Sequence, residues 1–136
     1  MNAVDTNILI YVHDPRDAVK QKLADSLVRS LVDGVLLWQV ACEFIAASRK
    51  LEPFGFDRVR AYQEIHRLHQ LWTTKLPSWP VFDTAERLTN DYSLSFWDAM
   101  IIAAFLESGV TSLYSEDFDS NVSIEELSLI NPFETP

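Results

Sequence analysis

The sequence is poor in cysteine, in glycine and, over its last third, in positive charge. With Cys42 alone there is no internal disulfide and no cysteine-built metal site, as fits a reducing compartment. Only three glycines occur, Gly34, Gly55 and Gly109, so there is neither a G-x-G-x-x-G loop nor a Walker A loop, which argues against nucleotide sites of those kinds. No stretch approaches the ~18 apolar residues of a membrane span. The opening Met1-Asn2-Ala3-Val4-Asp5 lacks the basic start and apolar core of a secretory leader. A cytoplasmic location, away from the membrane, is the expectation.

What is present is an ordinary globular composition. The 136 residues are 48% hydrophobic and 23% charged, which predicts one folded domain over residues 1–136. The net charge of −9 argues against a nonspecific grip on nucleic-acid phosphates. Its distribution qualifies that. Residues 1–87 hold all 11 Lys and Arg against 11 Asp and Glu, whereas residues 88–136 hold 9 acids and no base. Those acids either solubilise a surface or, in part, converge on a cation.

The apolar pattern alternates between strand-like and helix-like segments. Ala3-Val4 reads as the end of a short buried strand, and Asp5-Thr6-Asn7 supplies capping residues before Ile8-Leu9-Ile10-Tyr11-Val12. Asp14-Pro15 reads as an N-cap and first helical position, with Val19, Leu23, Leu27 and Leu31 as the buried stripe. A strand is expected at Val35 to Trp38, a largely buried helix from Val40 to about Lys50, and a helix from Asp57 with Val59, Tyr62, Ile65, Leu68 and Trp72 inward. Trp79 to Phe82 reads as an edge strand, with Asp83 or Thr84 capping a helix through Leu88. Ser95-Phe96-Trp97-Asp98 opens an apolar helix that closes at Gly109, and strands are expected at Thr111 to Ser115 and Leu127 to Ile130. This alternation predicts an α/β fold with a parallel sheet covered on both faces, whose ligands bind beyond the carboxyl ends of the strands.

Four acids stand at element ends or on apolar faces. Glu43 is surrounded in sequence by Val40, Cys42, Phe44, Ile45, Ala46 and Ala47, so a carboxylate there needs either a base such as Arg49 or a metal. Asp98 lies three residues after Ser95, the spacing of a capping box, beside Ile101 and Ile102. Asp5 fits an N-cap and Asp117 a loop. In one cleft these carboxylates would raise each other's pKa unless a divalent cation neutralised them. With oxygen ligands alone, Mg²⁺ or Mn²⁺ is favoured over zinc. Phosphodiester hydrolysis is the chemistry such an ion serves.

The segments Asp5-Thr6-Asn7-Ile8-Leu9-Ile10-Tyr11, Gln39-Val40-Ala41-Cys42-Glu43-Phe44, Ser95-Phe96-Trp97-Asp98-Ala99 and Leu113-Tyr114-Ser115-Glu116-Asp117-Phe118 resemble, in order and spacing, the four acidic motifs of PIN-domain ribonucleases. The likeness spans roughly residues 2–132, at the length of VapC-type toxins of toxin–antitoxin systems. The resemblance implies a three-layer α/β/α sandwich with a mainly parallel five-stranded sheet and a Mg²⁺- or Mn²⁺-dependent endoribonuclease. It assigns Asp5, Glu43, Asp98 and Asp117 to the metal site. It gives Thr6, Asn7 and Ser115 supporting roles around it, with Glu116 and Asp119 as acids able to supplement or replace Asp117. It further implies an RNA substrate, a cognate antitoxin and a homodimer.

Other features carry weaker signals. His66 and His69 read as surface residues. Arg58, Arg60, Arg67 and Lys75 are either phosphate contacts or solvated helix faces. Trp38, Trp72, Trp79 and Trp97 read as core or interface anchors, and Cys42 as a small buried hydrophobe. Two rival readings remain: a noncatalytic module docking a basic partner through its acids, and a phosphatase using Asp5 as nucleophile. The second wants an acid where Asn7 stands.

Overall fold

The computed structural model describes residues 1–118 and 122–134. Its sheet is built around β1 (Asn2–Val4), flanked in parallel by β2 (Gly34–Leu37) and β4 (Ser112–Tyr114). Parallel pairing continues outward to β3 (Thr73–Lys75) beside β2 and β6 (Leu127–Ile130) beside β4, while β5 (Val122–Ile124) lies antiparallel on β6. The order is β3-β2-β1-β4-β6-β5. Ala3, Val4, Val35, Leu36, Leu37 and Leu113 are all buried, as strands covered on both faces require.

Among the described residues, six α-helices cover the sheet: α1 (Thr6–Val12), α2 (Ala18–Ser30), α3 (Trp38–Ala47), α4 (Arg58–Leu71), α5 (Trp79–Tyr92) and α6 (Phe96–Glu107). A 3₁₀ segment, Ser48–Phe54, follows α3. α1 packs on α2 and α3, α3 on α4, and α5 on α6. This is the expected three-layer α/β/α sandwich with a mainly parallel sheet, carrying six strands rather than five. The additional β5 is short, with Val122 and Ser123 exposed and Ile124 buried.

Several local expectations are corrected. Trp79 to Phe82 is the first turn of α5, not a strand. Pro80 is tolerated there because first-turn N–H groups have no intrahelical partner, and Ser78 rather than Asp83 or Thr84 holds the cap position. The edge strand is instead Thr73–Lys75, whose polar residues carry no apolar alternation. Helix α2 begins after Asp17, which accepts from the Lys20 N–H at 3.1 Å; Asp14 is engaged by Arg16 at 2.8 and 2.9 Å. Trp38 opens α3 rather than ending β2. The buried stripes are rotated as well. α2 buries Ala24 and Val28 and leaves Val19 71% exposed, and α4 buries Ala61 and Leu68 and leaves Val59 and Tyr62 exposed. Alanine lets a helix approach closely, so the small residue marks the packed face. Trp72 is buried, whereas Trp38, Trp79 and Trp97 are exposed, as is Cys42.

This topology gathers the sequence-distant motifs. Asp5 follows β1 and Ser115 follows β4, so both lie at the carboxyl edge of the sheet, and β2 passes into α3 at that same edge. Helix α6 turns at Gly109 into β4, so its first turn, with Asp98, lies towards the carboxyl end of that strand. At the opposite end of β2, Gly34 is pressed against Trp72: a Cβ added there would stand 2.5 Å from the indole. Gly34→Ala is expected to destabilise the fold by ~1–3 kcal/mol through overpacking. Urea denaturation measures this, and an unchanged midpoint would show that the indole moves aside freely.

Candidate active site

Asp5 is the structural centre of the carboxyl edge. It caps α1 in an extended conformation, and its Oδ1 accepts from the Thr6 N–H at 2.7 Å. Its own N–H donates to the Tyr114 carbonyl at 2.9 Å, tying the ends of β1 and β4 together. The residue is only 6% exposed, and its Oδ2 accepts from the Ser115 hydroxyl at 2.9 Å. Burial pushes its pKa up from 3.8 to about 6. The hydrogen bonds from Thr6 and Ser115 oppose that rise, and the charges of Asp117 and Glu43 add to it.

Ser115 is buried and organises the polar groups around it. Its N–H donates to the Ile130 carbonyl at 2.9 Å, and its hydroxyl oxygen accepts from the Asp117 N–H at 3.1 Å and from Asn7 Nδ2 at 3.3 Å. A hydroxyl has one proton, here given to Asp5, so Asn7 must present its amide N–H to Ser115. The orientation of the Asn7 amide follows, and it leaves Asn7 Oδ1 buried without a partner among the described residues. An orphaned acceptor beside a carboxylate suits a water or a hydrated cation.

The second motif joins through α1. Thr6 Oγ1 donates to Glu43 Oε2 at 2.9 Å, bridging α1 and α3. Glu43 is exposed on α3, away from the buried Val40 and Phe44, so its expected apolar environment is corrected and its partner is a hydroxyl rather than Arg49. Asp98 is exposed in the first turn of α6, where its N–H donates to Ser95 Oγ at 3.2 Å. Among the described residues its carboxylate has no hydrogen-bond or ion-pair partner. Asp117 is exposed and close enough for its charge to act on Asp5. Glu116 is committed elsewhere, to Lys20 Nζ at 2.8 Å and to the Tyr11 hydroxyl. Burial raises its pKa, but those two bonds outweigh it and hold the carboxyl below its ordinary value. Asp119 lies outside the described residues.

Among the described residues, no three carboxylate, imidazole or thiol groups stand close enough to hold an ion between them. The donor chemistry nevertheless fits a hard cation. Mg²⁺ keeps several waters and takes one or two carboxylates directly, and Asp5, held by Thr6 and Ser115, is a fixed carboxylate of the kind it takes. His66 and His69 are exposed on α4, as expected of surface residues, and Arg67 is taken by Glu64.

The family model described as PIN domain matches residues 3–123. The chain belongs to the PIN domain family. No curated protein matches its sequence. Among solved structures, this PIN domain resembles a chain of a toxin–antitoxin complex from Klebsiella pneumoniae, with a TM-score of 0.73 at 17% identity over 99% of this chain and all of that one. It also resembles VapC20 of Mycobacterium tuberculosis, a sarcin–ricin-loop-cleaving toxin, with a TM-score of 0.67 at 20% identity over 88% of this chain and 92% of that one. FitAcB from Neisseria gonorrhoeae gives 0.69 at 16% identity over 99% and 100% of the two chains. The PIN domain thus has the fold of VapC-type toxins. One contact of its edge is invisible in the sequence: Lys20 meets Glu116 across 96 residues, and neither belongs to a local pattern that would pair them.

The raised pKa of Asp5 has a sign that can be measured. The folded protein keeps a proton there that the unfolded chain has already lost. The penalty is absent below pH 3.8 and grows until pH passes about 6, where it reaches ~3 kcal/mol. Asp5→Asn keeps a capping acceptor. In metal-free buffer it is expected to be more stable than wild type by up to ~3 kcal/mol at pH 7.5, with the gap closed by pH 4. Urea denaturation at the two pH values checks this, and a gap independent of pH refutes it.

Proposed function

We propose that this PIN domain is a divalent-metal-dependent endoribonuclease, the toxin of a toxin–antitoxin pair, working in the cytoplasm. The observation that carries the reading is the buried Asp5 carboxylate, pinned by Ser115 and crowded by the charges of Asp117 and Glu43, with Asn7 Oδ1 buried and without a partner among the described residues. Asp5, Glu43, Asp98 and Asp117 would hold Mg²⁺ or Mn²⁺. When bound, such an ion supplies charge neutralisation at the phosphate and lowers the pKa of a water.

The protein's own residues do the positioning. Thr6 and Ser115 each occupy one lone-pair direction on Asp5, which fixes its rotamer and leaves the other directions open. Thr6 also steers Glu43 towards the same edge, and Asn7 Oδ1 is available to orient a water. RNA as substrate is supported by the family and by the activity named for VapC20. An antitoxin partner is supported by structural neighbours that are toxin–antitoxin assemblies. Among the described residues no helix is long and apolar enough to cross a membrane.

The homodimer has a surface to suit it. Trp79 and Phe82 on α5 and Phe96 and Trp97 on α6 are all exposed, paired at ring-centroid distances of 5.2 and 4.9 Å. Trp79, Phe82 and Phe96 line a common cleft of about 410 Å³. A contiguous aromatic patch of this kind marks an interface rather than a solvated surface.

Two measurements test the reading. Purified protein free of antitoxin is incubated with total RNA in Mg²⁺, Mn²⁺ or EDTA, beside Asp98→Asn, and new ends are sequenced. Several kcal/mol of charge stabilisation are at stake, so the variant is expected to lose ~100-fold or more of a metal-dependent activity while staying folded. Equal cleavage by the variant removes Asp98 from the site. Folded protein that cuts no RNA with any ion favours the noncatalytic module docking a basic partner. In sedimentation, wild type is expected to run as a dimer and Trp79→Glu as a monomer; an unchanged sedimentation coefficient places the interface elsewhere.

A further inference from the structure

The loop after β4 carries three consecutive polar residues with different tasks. Ser115 holds Asp5, Asp117 adds its charge to that carboxylate, and Glu116 between them reaches away from both. Glu116 Oε2 accepts from Lys20 Nζ at 2.8 Å, and its Oε1 accepts from the Tyr11 hydroxyl. The same ammonium lies 4.9 Å from the Tyr11 ring centroid and 5.1 Å from that of Phe133, and those two rings meet edge to face at 5.2 Å. Lys20 and Glu116 retain only 33% and 25% of their side-chain exposure, so water screens the pair less than it would on an open surface.

The contact therefore locks α1, α2, the loop after β4 and the segment around Phe133 into one unit. Helix α1 also carries Thr6 and Asn7 and is capped by Asp5. Whatever fixes Glu116 to Tyr11 thus fixes Asp117 relative to Asp5. Among the described residues Asp117 has no side-chain anchor, and its backbone is held by the Ser115 hydroxyl. We propose that Tyr11 and Lys20 are positioning residues which clamp Glu116, set Asp117 against Asp5, and so determine the divalent-cation affinity of the acidic edge. This rests on the metal-site reading above and adds two residues that are not among the four acids of that site.

The sign of the effect separates a clamp from simple electrostatics. Removing the Lys20 charge makes the surroundings more negative, which by itself tightens cation binding. Loss of a clamp loosens it, as displacing an outer group that orients a ligand costs ~10–100-fold in metal affinity. Mn²⁺ binding is measured by calorimetry and by the electron-spin resonance of free Mn²⁺. The proteins are full-length wild type, Lys20→Met, Lys20→Arg, Tyr11→Phe, and Lys20→Met combined with Glu116→Gln, with thermal melts to confirm folding.

Lys20→Met is expected to bind Mn²⁺ ~10-fold or more weakly, Lys20→Arg to restore most of the affinity, and Tyr11→Phe to lose part of it while keeping its ring. The double variant is expected to bind no more weakly than Lys20→Met, because both changes break one contact. Lys20→Met binding as tightly as wild type or more tightly overturns the clamp and leaves the metal site standing. Wild type that takes up no Mn²⁺ overturns the metal-site reading, and the clamp with it.

Discussion

The hydrogen bond from Ser115 to Asp5 joins residues 110 apart in sequence at the ends of two neighbouring central strands, and the order of the carboxyl edge depends on it. It gives a buried carboxylate one of the two donors that keep it from being stranded. Because the hydroxyl has a single proton, spending it on Asp5 makes Ser115 an acceptor for everything else. That sets the Asn7 amide, whose oxygen has no partner among the described residues, and draws the Asp117 N–H inward. One serine thus transmits the register of the sheet into the positions of three other polar groups.

The charge distribution makes sense against that edge. Four bases are held in ion pairs with acids other than the four of the edge: Arg16 with Asp14, Arg29 with Asp25, Arg67 with Glu64, and Arg87 with Glu125 on the β5–β6 turn. Lys20 is the base that reaches the fourth motif, and it takes Glu116 rather than Asp117. Among the described residues, Asp5, Glu43, Asp98 and Asp117 form no ion pair with any base. A net charge of −9 therefore describes less a uniformly repulsive surface than an edge from which cationic side chains have been withheld.

Features set by local chemistry were legible in the sequence. Asp5 before an apolar run, Ser95 before α6, and Gly109 with its φ of +77° after it announce helix ends through capping and backbone freedom. The apolar runs of β1, β2 and β4 announce a covered parallel sheet, and strand connectivity then carries the motifs to one edge. Features set by tertiary context were not legible. Thr73-Thr74-Lys75 is a strand only because β2 offers it an edge, and Trp79-Pro80 is helical because its first-turn N–H groups need no intrahelical acceptor. The packed faces of α2 and α4 are marked by Ala24 and Ala61, which a reading weighted towards large apolar residues passes over. Glu43 has apolar neighbours in sequence, yet helical rotation turns it outward to Thr6. The tie between Lys20 and Glu116 has no sequence signature, since neither spacing nor composition links α2 to that loop.

On the proposed reading the four acids divide the work unequally, and burial is the reason. An exposed carboxylate attracts a cation through water and so weakly, whereas a desolvated one attracts it strongly but destabilises the protein while no cation is there. Asp5 alone takes the second role, immobilised by Thr6 and Ser115 with its pKa pushed to about 6. Glu43, Asp98 and Asp117 stay exposed and keep their hydration. Burying all four would multiply the penalty with no base to offset it, and exposing all four would leave no fixed point for the ion. One rigid buried oxygen ligand among hydrated, adjustable ones suits an ion that retains most of its own water shell. The instability stored at Asp5 is then the part of the fold that cation binding would relieve, which couples occupancy of the edge to the stability of the whole sheet.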